Sequence, residues 1–456
     1  MVGADGNTTI NSIITEVLRA ADPGPLVRRA LAERSIGTSA CRVLAVGKAS
    51  AAMTEPAVAV LRDQVRGVLG VGPGEVGEGD DPDTAGGRAP SLARGALCRA
   101  EVWRADHPVP SARNVLAAAR VREFVATVPA DETLLVLLSG GASAMLCLPR
   151  EGVGLADIAA VTDALLRAGA RIEELNAVRK HCEVLKGGGL AAASGAGRVL
   201  TLVLSDVLGD RLDVIGSGPT APDPTTFAEA LAVLERRDLL DVSSAVTGLL
   251  QKGCAGEQPE TVKPGDKLWE RVEHRIVGNN RLAVDAAVRV CRRAGYRVVD
   301  RQDSVEREAA EIGKKLAAKA LECAAEGART NAAIVWGGET TVTVGDSSGT
   351  GGRNQELALA AAIELAASGL PRAETAHAPG ITIMSLATDG RDGPTDAAGA
   401  VVDEQTCARI RAAGMDPIDA MRRHDSHAAL EAAGALIRTG PTGTNINDVM
   451  LALIEL

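Results

Sequence analysis

The fold class is decided by the stretch TLLVLLSGG, which runs from Thr133 to Gly141. Its residues are apolar on both faces, as in strands buried within a parallel sheet, and it ends in small residues. Two further runs have the same character, CRVLAVG (Cys41–Gly47) and VLTLVLSDV (Val199–Val207). Ala-rich stretches of helical character lie between such runs. We therefore expect an α/β fold in which helices cover a largely parallel sheet.

The second half of the chain continues this alternation. Strands are predicted at AAIVWGGE (Ala332–Glu339), TTVTVG (Thr340–Gly345) and ITIMSLATDG (Ile381–Gly390). Helices are predicted at Ala156–Ala168 and Val305–Glu326, where apolar residues recur at three-four spacing.

Two polar, turn-rich stretches interrupt the pattern of the 456-residue chain. Val71–Ser91 is predicted to be a mobile surface insertion, because Gly, Asp and Pro dominate it. Gln251–Glu270 lies between two α/β blocks and predicts a domain boundary. Two domains are therefore expected, over residues 1–255 and 256–456.

Composition excludes several classes of protein. The chain is 46% hydrophobic and 24% charged, which excludes disorder, collagen and coiled coil as its main state. Three Trp, one Tyr and two Phe are too few for surfaces that stack single-stranded nucleic acid. A net charge of −10 repels nucleic acid and anionic lipid. We expect neither kind of partner, and the sequence leaves a monomer or a homodimer open.

Localisation signals point to the cytoplasm. The first twenty residues lack a basic region followed by an apolar run, so no signal peptide is expected. No apolar stretch reaches the length of about 18 residues that a membrane helix needs. The eight Cys are scattered without a C-x-x-C pair, which favours buried thiols in a reducing compartment.

Residues that follow the first-half strands are candidates for ligand binding, because ligands of open α/β sheets bind beyond the carboxyl ends of the strands. Lys48 follows the first run and is placed to meet an anion, although a lone Lys often only reaches solvent. Paired glycines at 140 and 141 follow the second run, and such turns let backbone N–H groups approach phosphate oxygens. Asp206 follows the third and is a natural Mg²⁺ ligand, or else a helix N-cap or Asx turn.

Further candidates lie in small-residue and basic stretches. Glu174–His181 and Lys186–Gly189 place cations beside three glycines, which suits phosphate or a solvated helix face. Ile215–Thr220 resembles a shaped binding loop. Arg353 follows a Gly-rich turn and could bind a carboxylate or phosphate through two N–H groups, unless the turn is only structural.

Familiar nucleotide and hydrolase motifs are missing or stand in the wrong context. The chain has no G-x-x-x-x-G-K-[ST] phosphate loop. Its one G-x-G-x-x-G match, Gly72–Gly77, falls in the turn-rich Val71–Ser91 insertion and leads into no predicted helix. Its one G-x-S-x-G match, Gly345–Gly349, is separated from the following helix by further turn residues, unlike a nucleophile elbow.

The acidic spacing around Asp389 and Asp392 does not match an EF-hand. His424 and His427 lack a third zinc ligand, and Asp425 between them is better interpreted as a helix N-cap.

About ten motifs, in order, resemble the bacterial glycerate 2-kinases, whose C-terminal part is known as the MOFRL domain. They cover nearly the whole chain: VLAVGKASAAM (Val43–Met53), HPVPSARN (His107–Asn114), LLSGGASAML (Leu137–Leu146), ELNAVRKH (Glu174–His181), KGGGLA (Lys186–Ala191), LSDVLGD with IGSGPTAPDPTTF (Leu204–Phe227), GGETTVTV (Gly337–Val344), GTGGRNQE (Gly349–Glu356), ATDGRDGPTDAAGA (Ala387–Ala400) and TGPTGTNINDV (Thr439–Val449). The Val71–Ser91 insertion departs from the family pattern but carries no motif.

This resemblance implies transfer of the γ-phosphoryl group of ATP, with Mg²⁺, to the 2-hydroxyl of D-glycerate. It also implies an N-terminal Rossmann-like domain, a MOFRL-type α/β domain and an active site in the cleft between them. The residues matching Lys48 and Arg353 are regarded as catalytic in the family. We expect these two cations, from opposite domains, to clamp the glycerate carboxylate and the γ-phosphate.

The remaining assignments follow from position together with the resemblance. We expect the nucleotide to be bound by Ser139, Gly140, Gly141, Ser143, Lys186, Gly187, Gly188, Ser217 and Gly218. We expect the substrate to be bound by Lys48, Asn176, Arg353 and Asn354. Asp206 is the first choice for Mg²⁺, and Asp389 or Asp392 is the weaker one. No general base is identified.

Three other functions remain open at this point. Chains of this kind have often been labelled NAD(P)H-dependent hydroxypyruvate reductases, although the one G-x-G-x-x-G match, Gly72–Gly77, leads into no predicted helix as a dinucleotide-binding turn would. A non-catalytic sugar-acid or nucleotide-binding module is a second possibility. A kinase of a related short hydroxy acid is the third, because discrimination of one carbon depends on pocket shape.

Overall fold

The computed structural model describes residues 4–33, 39–73, 100–325, 330–345, 347–368 and 380–455. These residues form two compact units. We call Pro23–Val277 the N unit, and Met1–Asp22 together with Gly278–Leu456 the C unit. The C unit therefore contains both ends of the chain, beginning with helix α1 (Ala4–Ala21).

The N unit is a six-stranded sheet with helices. Its strands are β1 (Cys41–Val46), β2 (Val65–Pro73), β3 (Ala100–Ala105), β4 (Thr133–Leu138), β5 (Arg198–Leu204) and β6 (Val272–Gly278), the last ending at the unit boundary. Its α-helices are α2 (Pro23–Glu33), α3 (Ser50–Leu61), α4 (Ala112–Ala126), α5 (Ala142–Met145), α6 (Leu155–Arg167), α7 (Ile172–Cys182), α8 (Gly189–Ala193), α9 (Phe227–Arg236) and α10 (Ser244–Cys254). Short 3₁₀ turns occur at Arg62–Gln64, Ile215–Ser217 and Lys267–Arg271.

The strand order of the N unit is β3-β2-β1-β4-β5-β6. The pairs β3–β2, β2–β1, β1–β4 and β4–β5 are all parallel. Every residue of β4 is buried, which explains why its sequence is apolar without alternation. The order reverses between β1 and β4, as it does at the ligand-binding switch point of Rossmann-like sheets. The Rossmann-like expectation is confirmed.

The C unit holds a second six-stranded sheet. Its strands are β7 (Arg297–Val305), β8 (Ala332–Gly338), β9 (Gly380–Ala387), β10 (Gly399–Val402), β11 (Leu436–Ile437) and β12 (Asp448–Glu455). Its remaining helices are α11 (Asn280–Arg293), α12 (Ala309–Ala325), α13 (Arg353–Ala367), α14 (Thr406–Ala412), α15 (Pro417–Arg422) and α16 (Ser426–Ala432). The core contains the buried Trp336 and much of the apolar face of α13. The predicted α/β class is confirmed for both units.

The second sheet is mixed, which corrects the expectation of a largely parallel arrangement there. Its order is β11-β10-β9-β12-β8-β7, and of these neighbours only β7 and β8 run parallel in the described residues. Two of the antiparallel pairs arise because β12 inserts between β8 and β9, and the other two are β9–β10 and β10–β11.

Three boundaries differ from the sequence-based predictions. TTVTVG forms no strand, because its backbone pairs with the rest of the described residues through only one isolated bridge, between Thr341 and Glu308. The hydroxyls of Thr341 and Thr343 also donate to the carboxylate of Glu308. The helix predicted from Val305 begins at Ala309, since Val305 still belongs to β7. The unit boundary falls at Gly278 instead of 256, because β6 is the sixth strand of the N sheet.

The first helix belongs to the C unit, whereas the predicted domains placed it in the N-terminal one. Helix α1 packs against α11, and Thr444 donates a hydrogen bond to the carbonyl of Ala21. The predicted insertion Val71–Ser91 lies outside the described residues, apart from 71–73, which complete β2. In the part of the chain that the structure describes, none of the helices has the length and apolar character needed to cross a membrane.

Candidate functional site

The turns after β1 and β4 meet at the edge of the N sheet where the strand order reverses. Val46 pairs with Leu138 in the parallel register, so the residues that follow the two strands are neighbours. The N–H of Lys48 donates to the carbonyl of Gly140 at 2.8 Å. The structure therefore brings Lys48 together with the predicted phosphate loop, Ser139–Ser143.

Ser139 holds these two turns together. Its buried hydroxyl accepts a hydrogen bond from the N–H of Ala49 at 3.0 Å, and its own N–H donates to Val46 at 3.0 Å. Gly47 has φ +119°, and a Cβ there would overlap the Ser139 side chain. The Ser139 hydroxyl is thus committed to the turn that places Lys48, instead of facing a ligand.

The two loop glycines each leave room for a functional group. A Cβ at Gly140 would overlap the carboxylate of Asp206, so the predicted metal ligand lies directly over the predicted phosphate loop. Gly141 has φ +84°, and a Cβ there would lie 3.4 Å from Cγ of Lys48 and 3.0 Å from Cδ2 of His107. Lys48 and His107 therefore flank Gly141.

His107 was not singled out by the sequence, although it begins the motif HPVPSARN. Desolvation of the ring, although His107 is partly exposed to solvent, and then the charge of Lys48 lower the pKa of His107 to about 4. The imidazole is therefore neutral at physiological pH. Only its position in a motif signalled it, because its neighbour Gly141 is 34 residues away in the chain.

Backbone N–H groups of the loop remain available. No backbone carbonyl of the described residues accepts from Gly140, Gly141, Ala142 or Ser143. Four successive donors beside a lysine suit an anion such as phosphate.

The ammonium group of Lys186 binds other groups of the protein. Its ammonium is buried and donates to the carbonyls of Ser143 at 2.6 Å and Leu146 at 3.4 Å, and it pairs with the buried Glu183 at 2.9 Å. Burial lowers the pKa of Lys186, and Glu183 opposes that shift. The structure does not present this cation to a phosphate, contrary to the sequence-based prediction.

The glycines after Lys186 are also committed. The N–H of Gly187 donates to Ser217 at 3.0 Å and that of Gly188 to Gly218 at 2.7 Å. Both glycines have positive φ, and a Cβ on Gly188 would lie 2.9 Å from Trp269. The backbone of Lys186–Gly189 is therefore hydrogen-bonded to the second predicted binding loop, Ile215–Thr220.

Ser143, Asn176 and Ser217 form one hydrogen-bonded cluster. The Ser217 hydroxyl donates to Oδ1 of Asn176 at 3.1 Å and lies 2.9 Å from the Ser143 hydroxyl. Asn176 and Ser217 are buried. The structure brings these predicted residues together, and the hydrogen bonds among the two hydroxyls and Oδ1 of Asn176 fix the shape of the loop. The amide N–H groups of Asn176 are not used by this cluster, so its role in substrate binding stays a prediction.

Arg353, the first residue of α13, is held by two carboxylates of the C unit. Its Nε and Nη2 donate to Asp448 at 2.6 and 3.1 Å, and its Nη1 donates to Glu339 at 2.6 Å. Burial disfavours the charge, but Asp448 and Glu339 outweigh it and raise the pKa of Arg353. Burial raises the pKa of Asp448 to about 6, against the pull of Arg353.

A guanidinium carries five N–H groups, and three of those on Arg353 meet acceptors in the described residues. The side chain is 30% exposed. Two N–H groups therefore remain for an anion, in the fork geometry that suits a carboxylate.

Asp392 is committed to the start of α13, and Asn354 is held beside it. Asp392 is buried and accepts from the N–H and Nδ2 of Asn354 and from the N–H and Nε2 of Gln355, all within 3.2 Å. Oδ1 of Asn354 accepts from Ser385 at 2.6 Å. Each oxygen of Asp392 therefore accepts two hydrogen bonds, which argues against a role in binding Mg²⁺. One N–H of the Asn354 amide is not used by these bonds, and its role in substrate binding stays a prediction.

The other acidic and histidine candidates form hydrogen bonds with residues of the C unit. Asp389 accepts from the N–H of Arg391 at 3.0 Å, as in an Asx turn. His424 bonds to Glu356 at 2.9 Å and His427 to Gln355 at 2.8 Å. Asp425 stands at the N-cap position of α16, but its carboxylate accepts from Thr350. The described residues contain no group of three or more His, Cys, Asp or Glu that could hold a metal ion.

Two family models match the chain. The family described as a domain of unknown function (DUF4147) matches residues 9–251, and the MOFRL family matches residues 332–448. The chain is 38% identical to a D-glycerate 2-kinase of Thermotoga maritima over 97% of each chain. The chain belongs to the glycerate 2-kinase family. It is accordingly a kinase.

Further relatives are similar to the chain in sequence, and one solved structure is similar in fold. A glycerate 2-kinase of Pyrococcus horikoshii is 37% identical over 78% of this chain and 79% of its own. A putative hydroxypyruvate reductase of Agrobacterium vitis is 36% identical over 98% and 94%. The crystal structure of the Thermotoga maritima glycerate kinase superposes with a TM-score of 0.81 at 38% identity, covering 98% of this chain and 99% of that one. The family resemblance drawn from the motifs is confirmed.

Proposed function

We propose that the protein transfers the γ-phosphoryl group of ATP to the 2-hydroxyl of D-glycerate, giving 2-phospho-D-glycerate and ADP. One observation carries this proposal. At the switch point of the N sheet, Lys48 lies beside four loop N–H groups that no backbone carbonyl of the described residues accepts from. This combination suits the phosphates of a nucleotide.

Lys48 and the loop Gly140–Ser143 are proposed to hold the transferring phosphoryl group. Phosphoryl transfer needs little covalent help from a protein, because its barrier falls mainly through alignment and neutralisation of charge on the phosphate oxygens. Donors fixed before the reaction are most effective, since they need no reorganisation when charge develops. The hydrogen bond from the backbone N–H of Lys48 to the carbonyl of Gly140 fixes the backbone of the lysine against this loop.

Arg353 is proposed to bind the glycerate carboxylate through its two remaining N–H groups. Asp448 and Glu339 hold the guanidinium still, so little side-chain entropy is lost when substrate binds. Lys48 and Arg353 belong to different units, and that both serve one reaction is part of the proposal. The cleft location implied by the resemblance stays a prediction.

Asp206 is proposed as the protein ligand of Mg²⁺. Its carboxylate lies over Gly140, and carboxylate oxygens together with nucleotide phosphates are the ligands that Mg²⁺ prefers. A bound Mg²⁺ would neutralise charge on the phosphate oxygens. Asp389 remains the weaker candidate.

We assign a positioning role to the residues whose polar groups bind other groups of the protein. Lys186, Gly187, Gly188, Ser217 and Gly218 are proposed to shape the nucleotide loop from behind, through the contacts of Lys186 and Ser217 with Ser143. Asn176 fixes Ser217 in the same way.

The deciding experiment measures ADP release with purified protein, ATP, Mg²⁺ and D-glycerate, and identifies the product as the 2- or 3-phosphate by NMR. A D-glycerate-dependent 2-phosphate supports the proposal. NADH oxidation with hydroxypyruvate, without ADP release, would replace it with the reductase. Ligand binding without turnover would favour a binding module, and faster turnover of another short hydroxy acid would change the substrate.

The role of Arg353 is separated from its role in stability by a pair of variants. Arg353→Met leaves Asp448 buried without its partner, so we expect a stability loss of about 3 kcal/mol. In this variant burial still favours the protonated form of Asp448, so its folded pKa lies above the unfolded value of about 4. The free energy of unfolding therefore falls as the pH rises from the unfolded pKa through the folded pKa. The loss should be larger at pH 8 than at pH 5.

The double variant Arg353→Met/Asp448→Asn removes the stranded charge. We expect it to regain most of the stability and to lose the pH dependence, while the activity stays at least 100-fold below that of the unmodified protein. Recovery of activity together with stability would assign Arg353 to folding alone.

A further inference from the structure

We propose that His107 accepts the proton of the attacking 2-hydroxyl and is thus the general base of the reaction. This inference rests on the proposed kinase function and adds a residue to it. It starts from the placement of the ring beside Lys48, on the loop proposed to hold the phosphates.

The ring lies at the loop where transfer is proposed to occur. From a Cβ placed at Gly141, Cδ2 of His107 lies 3.0 Å away, Nε2 lies 3.4 Å away, and Cγ of Lys48 also lies 3.4 Å away. The Cδ2–Nε2 edge of the imidazole therefore faces the phosphate loop. A hydroxyl group in line with a phosphoryl group on this loop would be near that edge.

A buried asparagine ties the His107 segment to the phosphate loop. The side chain of Asn114 accepts from the N–H of Asp106 at 3.0 Å and donates to the carbonyl of Asp106 at 2.8 Å. The same Nδ2 donates to the carbonyl of Ala144 at 2.9 Å. Asn114 is fully buried, so the segment before His107 and helix α5 share one fixed support. A positioned base needs such a support.

The charges around the ring favour a base that is neutral before the reaction. Lys48 approaches from the turn after β1, and Asp206 lies on the neighbouring Gly140. Asp106, on the His107 segment, accepts a hydrogen bond from Ser111. Burial and then Lys48 lower the pKa of His107, so an unprotonated nitrogen is present throughout the physiological range.

The proposed step is balanced. The O–H bond of the 2-hydroxyl breaks and its proton moves to a ring nitrogen of His107. The hydroxyl oxygen forms a bond to the γ-phosphorus, and the bond from that phosphorus to the β–γ bridging oxygen breaks, releasing ADP. The imidazolium, disfavoured beside Lys48, then loses its proton to water.

The test uses His107→Ala and chemical rescue. We expect kcat to fall about 100-fold, within the range of general-base catalysis, with the KM values for ATP and D-glycerate changed less than 3-fold. Added imidazole should restore part of kcat, and a series of substituted imidazoles should rescue in proportion to their basicity. Val109→Ala, on the same segment and 68% exposed, is the control and should keep kcat.

Two outcomes would overturn the proposal. One is a His107→Ala variant with kcat within 3-fold of the unmodified protein. The other is a loss that imidazole does not rescue, or that appears mainly in KM, since this would make His107 a structural residue of the loop.

Histidine NMR tests the geometry without relying on activity. The His107 ring should remain neutral from pH 8 down to 5.5, and in Lys48→Met its titration should shift upward, towards or into that window. A ring that titrates near 6.5 in the unmodified protein would contradict the placement. Absence of glycerate kinase activity in the unmodified protein, with His107 neutral as expected, would instead refute the proposed function and the base assignment with it.

Discussion

The loops Gly140–Ser143 and Lys186–Gly189 look alike in sequence, but the structure uses them in opposite ways. Both contain adjacent glycines and lie near a lysine. In Gly140–Ser143 no backbone carbonyl of the described residues accepts from the N–H groups. In Lys186–Gly189 the N–H groups of all three glycines donate to carbonyls of the protein, and the ammonium of Lys186 is buried.

The difference shows that a glycine run near a lysine does not by itself indicate phosphate binding. What decides is where the backbone donors point once the chain is folded. Donors that already have protein acceptors form a structural joint, whereas a series of donors without them can accept an anion. The first loop is therefore expected to control catalysis, and the second is expected to control stability.

The largest effect should come from Lys48→Met. We expect kcat to fall about 10³-fold, because a positioned cation that stabilises phosphoryl transfer contributes on that order. The free energy of unfolding should change by less than about 1 kcal/mol, because the Lys48 side chain is partly exposed and lies outside the core. Enzyme kinetics and urea unfolding measure the two quantities, and a marked loss of stability would break the comparison.

Lys186→Met should have the opposite signature. It leaves the buried Glu183 with only Arg179, at 3.5 Å, as a cationic partner, so we expect a loss of about 3 kcal/mol of unfolding free energy, the lower end of the range for a broken buried pair. The double variant Lys186→Met/Glu183→Gln should recover part of this loss in urea unfolding. A stable Lys186→Met variant with weakened ATP binding would restore Lys186 to the nucleotide site.

Gly188→Ala should destabilise the protein by about 2 kcal/mol. The residue has φ +84°, and its Cβ would lie 2.9 Å from Trp269 and Val262, so backbone strain and overpacking add. Gly152→Ala is the matched control, since it also has positive φ but its Cβ would meet no atom within 4 Å. Equal losses in thermal unfolding of both variants would mean that the contact with Trp269 has no effect.

The smallest effect is expected for Gly140→Ala. A methyl group there would displace the carboxylate of Asp206, so the concentration of Mg²⁺ needed for half-maximal rate should rise about 10-fold. Titration of kcat with Mg²⁺ measures this change. An unchanged requirement for Mg²⁺ would remove Asp206 as the metal ligand.

The sequence predicted three of the six strands of the N sheet, β1, β4 and β5, because strands buried on both faces are mostly apolar. It missed β2, β3 and β6. It also placed Lys48 at the sheet edge, since a residue directly after such a strand must lie there, and it singled out Arg353 by its place after a Gly-rich turn. That these two residues are catalytic stays a prediction. These predictions depend on local features of the chain.

The sequence failed where the deciding partner is distant in the chain. The burial of Lys186 depends on the carbonyls of Ser143 and Leu146, about 40 residues earlier. TTVTVG alternates as a strand should, yet it forms none, and the hydroxyls of Thr341 and Thr343 donate hydrogen bonds to Glu308. Neither contact leaves a periodic pattern from which it could be predicted.

Membership of α1 in the C unit has a consequence for synthesis on the ribosome. The helix is translated before the N unit, but α11, against which it packs, begins about 260 residues later. At about 5–20 residues per second this is a delay of roughly 13–50 s, during which the whole N unit is completed. Through that interval the apolar face of α1 lacks its native partner α11, so we expect chaperones to bind this helix until α11 has emerged.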